Sequence, residues 1–325
     1  MPNNFFIVDL KILLNYRMSL DVKNKRNVTV VIPTHKRPEL MRRALASITS
    51  QSFDGYMEVI IVFDACEVEK SLEESNEKLS VKTISNTFSR GLAGTRNSGI
   101  KAATCDWIAF CDDDDEWIEN KLEKQFSLIE KNPNAKFCIT GAYFSHNSKE
   151  TKRIPDSSRM NPEGFFNDRM AEVTPISMMM ERQFLLEKIG LIDEEIPGGY
   201  GEDYDFLLRT IMLTEILVVP EPLVRYYQHE ASYYVDRWKM IDTALEYLLE
   251  KYPEFDKYPK GKARVIGQQA IARAASKDRR GALSKIKEAF SLHPLEQRLP
   301  VALLVLCGVP PKAVSKAARL VGKGL

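Results

Sequence analysis

Short apolar runs alternate with stretches of helical spacing along the first half of this chain. Val28 to Ile32 is a β-branched run that reads as a buried strand, ended by Pro33-Thr34. Pro38 stands where a first helical turn tolerates proline, and Leu40, Met41, Ala44, Leu45 and Ile48 then recur with helical period. Glu58 to Phe63 reads as a second strand ending at Asp64, Val68 to Leu79 as a polar helical stretch, and Val81 to Ser85 as a third strand. Gly91 to Ala103 reads as a turn and helix, and Trp107 to Cys111 as the next buried strand. Glu116 to Lys131 has an amphipathic pattern, and Phe137 to Tyr143 is strand-like. Residues 145–170 are polar and rich in turn formers, which suggests a long loop near the site that acts as a lid. The methionines of Ile176 to Met180 read as core filler, because Met packs irregular gaps. Phe184 to Ile189 starts a short helix, Glu202-Asp203 opens another, and Leu217 to Val219 leads through two prolines to Val224–His229. From Trp238 onward the chain reads helical.

Strands alternating with helices predict βαβ units and a mainly parallel sheet, in which ligands bind beyond the carboxyl ends of the strands. Pro33-Thr34, Asp64 and Asp112 to Asp115 all fall at such ends, and together they predict a nucleotide-type crevice. The expected organisation is an N-terminal extension over 1–26, with Met18 as an alternative start, an α/β catalytic domain over 27–235, and a helical region over 236–325.

Composition narrows the class. With 325 residues and a formal net charge of +1, the chain accommodates one large domain and a smaller addition, and nucleic acid is not the expected partner. Five cysteines without a CxxC pair and only four histidines form neither a disulfide framework nor a zinc cluster, which suits a reducing cytoplasm. No apolar run approaches the ~18 residues of a spanning helix, and Phe5 to Leu14, broken by Asp9 and Lys11, does not read as a signal peptide. Lys312, Lys316, Arg319 and Lys323 interleave with apolar residues, so the end of the chain is either a membrane-surface helix or a solvated terminal helix.

The chemistry concentrates in Asp112-Asp113-Asp114-Asp115. Carboxylates this close at a strand end repel one another, and a divalent cation shared with substrate phosphates removes that penalty. Two plainer readings stand beside it: Asp115 caps a helix starting near Glu116, or the run is an acidic surface loop. Glu202-Asp203 is likewise either an N-terminal cap pair or part of a site reached across Gly198, Gly199 and Gly201, and His229 is either structural or a ligand.

Four segments in order resemble family 2 glycosyltransferases. Val30-Val31-Ile32-Pro33-Thr34-His35-Lys36-Arg37-Pro38 resembles their opening motif, and Arg96-Asn97-Ser98-Gly99-Ile100 is similar to their Arg-Asn-x-Gly-Ile segment. Ile108 to Trp117 resembles their Asp-x-Asp strand end, and Gly201 to Asp205 their Glu-Asp acceptor-site motif. The likeness covers about residues 28–232 and implies a GT-A fold, a Rossmann-like mostly parallel sheet flanked by helices, here with a helical C-terminal extension. It also implies an inverting, metal-dependent hexosyltransferase using a nucleotide diphosphate-sugar, UDP-linked, and Mn²⁺ or Mg²⁺. The acceptor would be a glycan or lipid-linked molecule in surface polysaccharide biosynthesis, with the enzyme peripheral on the cytoplasmic membrane face.

By the same resemblance Pro33, Thr34 and Arg37 lie along the nucleotide, Asp64 accepts a hydrogen bond from the base, and Arg96 contacts the nucleotide side of the donor. Asp112 sits near the ribose or the metal, Asp113 fills the variable middle position on the nucleotide side, and Asp114 binds the metal, with His229 closing on metal or diphosphate. Asp203 is the catalytic base and Glu202 lies on the acceptor side. Ala65-Cys66-Glu67 replaces the family's usual second acid and Gly-Ser, which leaves the base identity open. A sugar-phosphate nucleotidyltransferase is the enzymatic alternative, although Pro33 to Pro38 lacks the glycine-rich triphosphate loop. A non-catalytic nucleotide-sugar or glycan binding module is the other, although both acidic sites are retained.

Overall fold

The computed structural model describes residues 26–146, 149–228, 237–311 and 313. The expected N-terminal extension before residue 26, His229 and the basic residues Lys312, Lys316, Arg319 and Lys323 lie outside the described residues.

The β-branched run forms β1 (Asn27–Thr34), and Pro38 opens α1 (Pro38–Thr49), which buries Met41, Ala44 and Ile48. Next come β2 (Tyr56–Phe63), the short β3 (Glu74–Ser75) and β4 (Leu79–Ser85). Gly91, at φ 111°, turns the chain into α2 (Leu92–Ala102), followed by β5 (Trp107–Phe110) and β6 (Glu116–Trp117). Then follow α3 (Lys121–Lys131), β7 (Phe137–His146), β8 (Lys149–Arg153), α4 (Pro162–Asn167), β9 (Met179–Glu181), α5 (Glu202–Ile211) and β10 (Leu217–Tyr227). Helices α6 (Trp238–Lys251), α7 (Pro259–Ala275), α8 (Arg279–Leu292) and α9 (Arg298–Leu306) complete the described chain.

One mixed sheet has the order β3-β4-β2-β1-β5-β9-β7-β10-β6, with β8 paired to β7. Strands β1, β2, β4, β5, β7 and β10 run the same way, so the sheet is mostly parallel, as expected. Side chains alternate between two cores. Val30 and Ile32 pack toward α1 and α3, while Val31 joins a second core with Phe110, Phe165, Phe206, Leu245 and Phe255. Gly99 lets α2 press onto β1, since a Cβ there would lie 2.3 Å from Val31 Cγ1. That close approach fixes Arg96, one turn earlier on the same helix, over the carboxyl ends of the strands.

Three expectations are corrected. Val68 to Leu79 is not a helix but a 3₁₀ turn at Lys70–Leu72 and the edge strand β3. Val68 and Leu72 pack on the core from this irregular segment, and Glu73 accepts the Thr83 amide (3.1 Å) and hydroxyl (2.7 Å), which ties it to the edge of β4. The helix expected from Glu116 begins at Lys121, because Glu116 and Trp117 pair with Arg225 and Val224; Asp115 caps no helix. Residues 145–170 are not one polar loop: β7 continues to His146 and returns as β8, and Phe165 and Phe166 of α4 are fully buried. Helix α4 is thus anchored in the core rather than part of a free loop.

Candidate active site

The carboxyl ends of β1, β2 and β5 gather the first group of candidate residues. Pro33 is buried within β1. Thr34 donates its hydroxyl to Asp113 at 2.9 Å, and both side chains are buried. The Asp64 amide donates to the Thr34 carbonyl (2.9 Å), while the Asp64 carboxylate accepts from Asn86 Nδ2 (2.9 Å) and the Gly91 amide (3.0 Å). Arg37, half exposed, reaches Asp113 (3.2 Å) and Asp114 (2.9 Å).

The four aspartates alternate in direction. A turn closed by the Asp115 amide on the Asp112 carbonyl (3.2 Å) leaves Asp112 and Asp114 partly exposed and Asp113 and Asp115 buried. Burial pushes Asp113 up to about 6, against the pull of Thr34 and Arg37. Burial, reinforced by Asp112, raises Asp115 well above the carboxylate range; its Oδ1 accepts the Tyr227 amide at 2.8 Å and its Oδ2 has no partner. The acidic run is thus two outward carboxylates braced by two inward ones.

The outward pair is where a divalent cation would find carboxylate oxygens. Asp112 and Asp114 offer hard oxygen donors on one turn, and each faces an arginine that already balances its charge. Among the described residues no group of three His, Cys, Asp or Glu side chains converges, so phosphate oxygens and water would complete the shell. Arg43 supports the turn by donating to the Asp114 carbonyl (2.7 Å), pairing with Glu116 (2.8 Å) and lying 4.5 Å over the Tyr227 ring.

Helix α5 supplies the opposite wall. Gly201, at φ 89°, has the left-handed backbone that starts this helix without a side chain. Glu202, buried, accepts from Arg96 Nη1 at 2.8 Å, and Arg96 Nη2 donates to Asp112 at 2.6 Å. Arg96 is 2% exposed; burial opposes its charge, but Asp112 and Glu202 outweigh that and raise its pKa. Burial pushes Glu202 up to about 7 despite Arg96. Asp203 points elsewhere: its carboxylate takes Arg169 Nη2 at 2.9 and 3.2 Å and the Tyr204 amide at 2.9 Å.

The structure therefore joins Thr34, Asp113, Arg37 and Asp114 in one hydrogen-bonded group and Asp112, Arg96 and Glu202 in another, both on the same acidic turn. Asp64 is tied to Thr34 through the backbone only, Asp203 follows Glu202 in the chain, and His229 lies outside the described residues. Sequence reasoning missed Asn86, Arg43 and Arg169. Asn86 was within reach of it, since it follows the end of β4, where strand-end residues are expected to serve the crevice. Arg169 carries no signal of its own in the sequence.

The pattern that describes "Glycosyl transferase family 2" matches residues 29–189. An uncharacterized glycosyltransferase of Haemophilus influenzae is 30% identical over 245 residues, 69% of this chain and 76% of that protein. The putative colanic acid biosynthesis glycosyl transferase WcaA of Escherichia coli is 32% identical over 195 residues, 59% of this chain and 68% of WcaA. The Escherichia coli UDP-Glc:alpha-D-GlcNAc-diphosphoundecaprenol beta-1,3-glucosyltransferase WfgD is 32% identical over 107 residues, 32% of this chain and 42% of WfgD. Among solved structures, S. aureus TarS 1-349 in complex with UDP-GlcNAc superposes with a TM-score of 0.58 at 16% identity, covering 91% of this chain and 92% of that one. The mannosyltransferase PcManGT of Pyrobaculum calidifontis, in complex with GDP-Man and Mn²⁺, gives 0.53 at 16% identity, covering 90% of this chain and 82% of that one. At these identities the structures speak for the fold.

Proposed function

The chain belongs to glycosyl transferase family 2, and on that premise we propose that it moves a sugar from a UDP-linked donor to a hydroxyl of a glycan or lipid-linked acceptor, with inversion at the anomeric carbon. The observation that carries the reading is Arg96, which ties the Asp112 side of the cleft to Glu202, next to Asp203. One guanidinium thereby holds Asp112 and Glu202 together, which supports a shared role for the two acids. The UDP-GlcNAc complex of TarS and the name of WfgD support UDP, whereas PcManGT holds GDP-Man; the names of WfgD and WcaA support an acceptor in polysaccharide assembly.

Each residue has a task in this reading. Thr34 and Arg37 hold the acidic turn against the strand ends, and Asp64 faces the base. Asp112 and Asp114 would hold Mn²⁺ or Mg²⁺, with which PcManGT's bound Mn²⁺ agrees, and His229 is the proposed third ligand. The cation, when bound, supplies Lewis-acid stabilisation of the leaving diphosphate. Asp203 accepts the proton of the attacking hydroxyl, because a sugar hydroxyl is a poor nucleophile until a base in hydrogen-bond reach takes that proton. Arg96 keeps Asp112 and Glu202 in register. The catalytic unit is 27–235, with 1–26 an extension and 236–325 a helical region whose basic end rests on the cytoplasmic membrane face. Deleting residues 312–325 should then abolish sedimentation with anionic vesicles; unchanged sedimentation would contradict that placement.

The reading is tested by incubating the protein with UDP-sugars, Mn²⁺ and lipid-linked or glycan acceptors. Transfer by the wild type and its loss in Asp203→Asn, with donor binding retained, is the expected result. Release of pyrophosphate from UTP and a sugar phosphate, with no glycosyl transfer, would contradict it.

A further inference from the structure

Arg264 of α7 is an arginine buried without an acid. It is 7% exposed, and among the described residues no carboxylate forms an ion pair with it. Its Nη2 donates to the Tyr204 hydroxyl at 2.9 Å, that hydroxyl donates to the Phe165 carbonyl at 2.6 Å, and the Arg264 Nε has no partner. A guanidinium cannot shed its proton, so burying it beside a neutral phenol is costly unless something else meets its charge. The nearby charges meet it only in part: Arg298 and Arg169 repel it, and Asp168, which attracts it without touching it, is paired with Arg159 at 2.9 Å.

What lies in front of Arg264 is a cavity of about 20 Å³, lined by Arg169, Tyr200, Gly201, Tyr204, Arg264 and Gln268, with apolar side chains behind. It is next to the candidate centre, because Arg169 holds the Asp203 carboxylate and Gly201 precedes Glu202. The space where a Gly201 side chain would stand is open, with no atom within 4 Å.

We propose that this cavity is an oxyanion subsite of the acceptor, and that the acceptor carries a phosphate or carboxylate close to the hydroxyl that receives the sugar. The proposal rests on the glycosyltransferase reading above. A space of this size holds about one water-sized atom, so one oxygen of the anion enters between Arg169 and Arg264 while the rest of the group stays on the Gly201 side. Both arginines then gain a charge-assisted hydrogen bond. Arg169 divides its charge between the anion and Asp203, which links acceptor binding to release of the base.

The test is thermal unfolding of the full chain, without metal and at constant ionic strength, titrated with inorganic phosphate and separately with glucuronate. At least one of the two should raise Tm by about 2 °C or more in the wild type and in Asp114→Asn. That rise should vanish in Arg264→Met and in Arg169→Met; the second variant, at the partly exposed mouth, keeps the test alive if the first does not fold. Whichever anion protects identifies the acceptor group. A rise that survives both arginine variants puts the anion elsewhere and overturns the proposal, as does the absence of any rise. Binding of UDP with Mn²⁺, followed in parallel, reports on the glycosyltransferase reading independently.

Discussion

Arg96 and Glu202, 106 positions apart, meet through a 2.8 Å hydrogen bond in which both side chains are buried. The other end of the same guanidinium holds Asp112 at 2.6 Å. Removing one member of such a buried group leaves charge without a partner. Arg96→Met should therefore lower stability by about 3–5 kcal/mol and abolish transfer. Arg96→Lys should restore the charge but not transfer, because an ammonium lacks the planar fork that spans two carboxylates. Chemical denaturation together with a transfer assay checks both; full activity in the lysine variant would show that the bridge is dispensable.

Asp203 is the proposed base, and its carboxylate is held at its edge by Arg169 and capped by its own helix through the Tyr204 amide. Asp203→Asn keeps the shape and loses the basic oxygen. Transfer should fall by about 10²–10⁴-fold in kcat with little change in donor affinity, the range typical of a lost general base. Equal losses in kcat and in donor binding would move Asp203 out of that role.

Lys121, fully buried beneath the acidic turn, lies 3.7 Å over the Trp117 ring with Gln125 Oε1 at 2.8 Å. Burial lowers its pKa from 10.5 to about 7. Between those values the unfolded chain binds a proton that the folded chain does not, so stability rises with pH there. The penalty of charging Lys121 is complete below about pH 7 and fades toward pH 10. Relative to Lys121→Met, the wild type should gain up to about 1.4 kcal/mol per pH unit across that window. Parallel urea titrations at pH 7, 8 and 9 measure the difference; a constant offset would mean the amine titrates normally.

Much of the fold was legible because its signals are local. Val30 to Ile32, Val59 to Phe63 and Ile108 to Cys111 are buried on both faces and read as continuous apolar runs, as parallel strands usually do. The acidic turn was legible from its composition alone. The errors share a cause, which is that the deciding partner lies far away in sequence. Glu116 and Trp117 became a strand because Arg225 and Val224 pair with them, and Asp115 turned inward to the Tyr227 amide instead of capping a helix. Residues 160–170 looked polar, yet Phe166 is stacked on Tyr258 and meets Phe255 edge to face. Arg169 and Arg264 owe their interest to where α4 and α7 meet α5, and no spacing in the sequence reports that.

The central claim is that the acidic turn binds a nucleotide diphosphate with a divalent cation. Calorimetric titration of a nucleotide panel with and without Mn²⁺, on the wild type and on Asp114→Ala, tests it most directly. The account predicts metal-dependent binding of UDP that is lost in the variant while the fold is retained. Binding of no nucleotide under either condition, or UDP binding unchanged by Asp114→Ala, would contradict it.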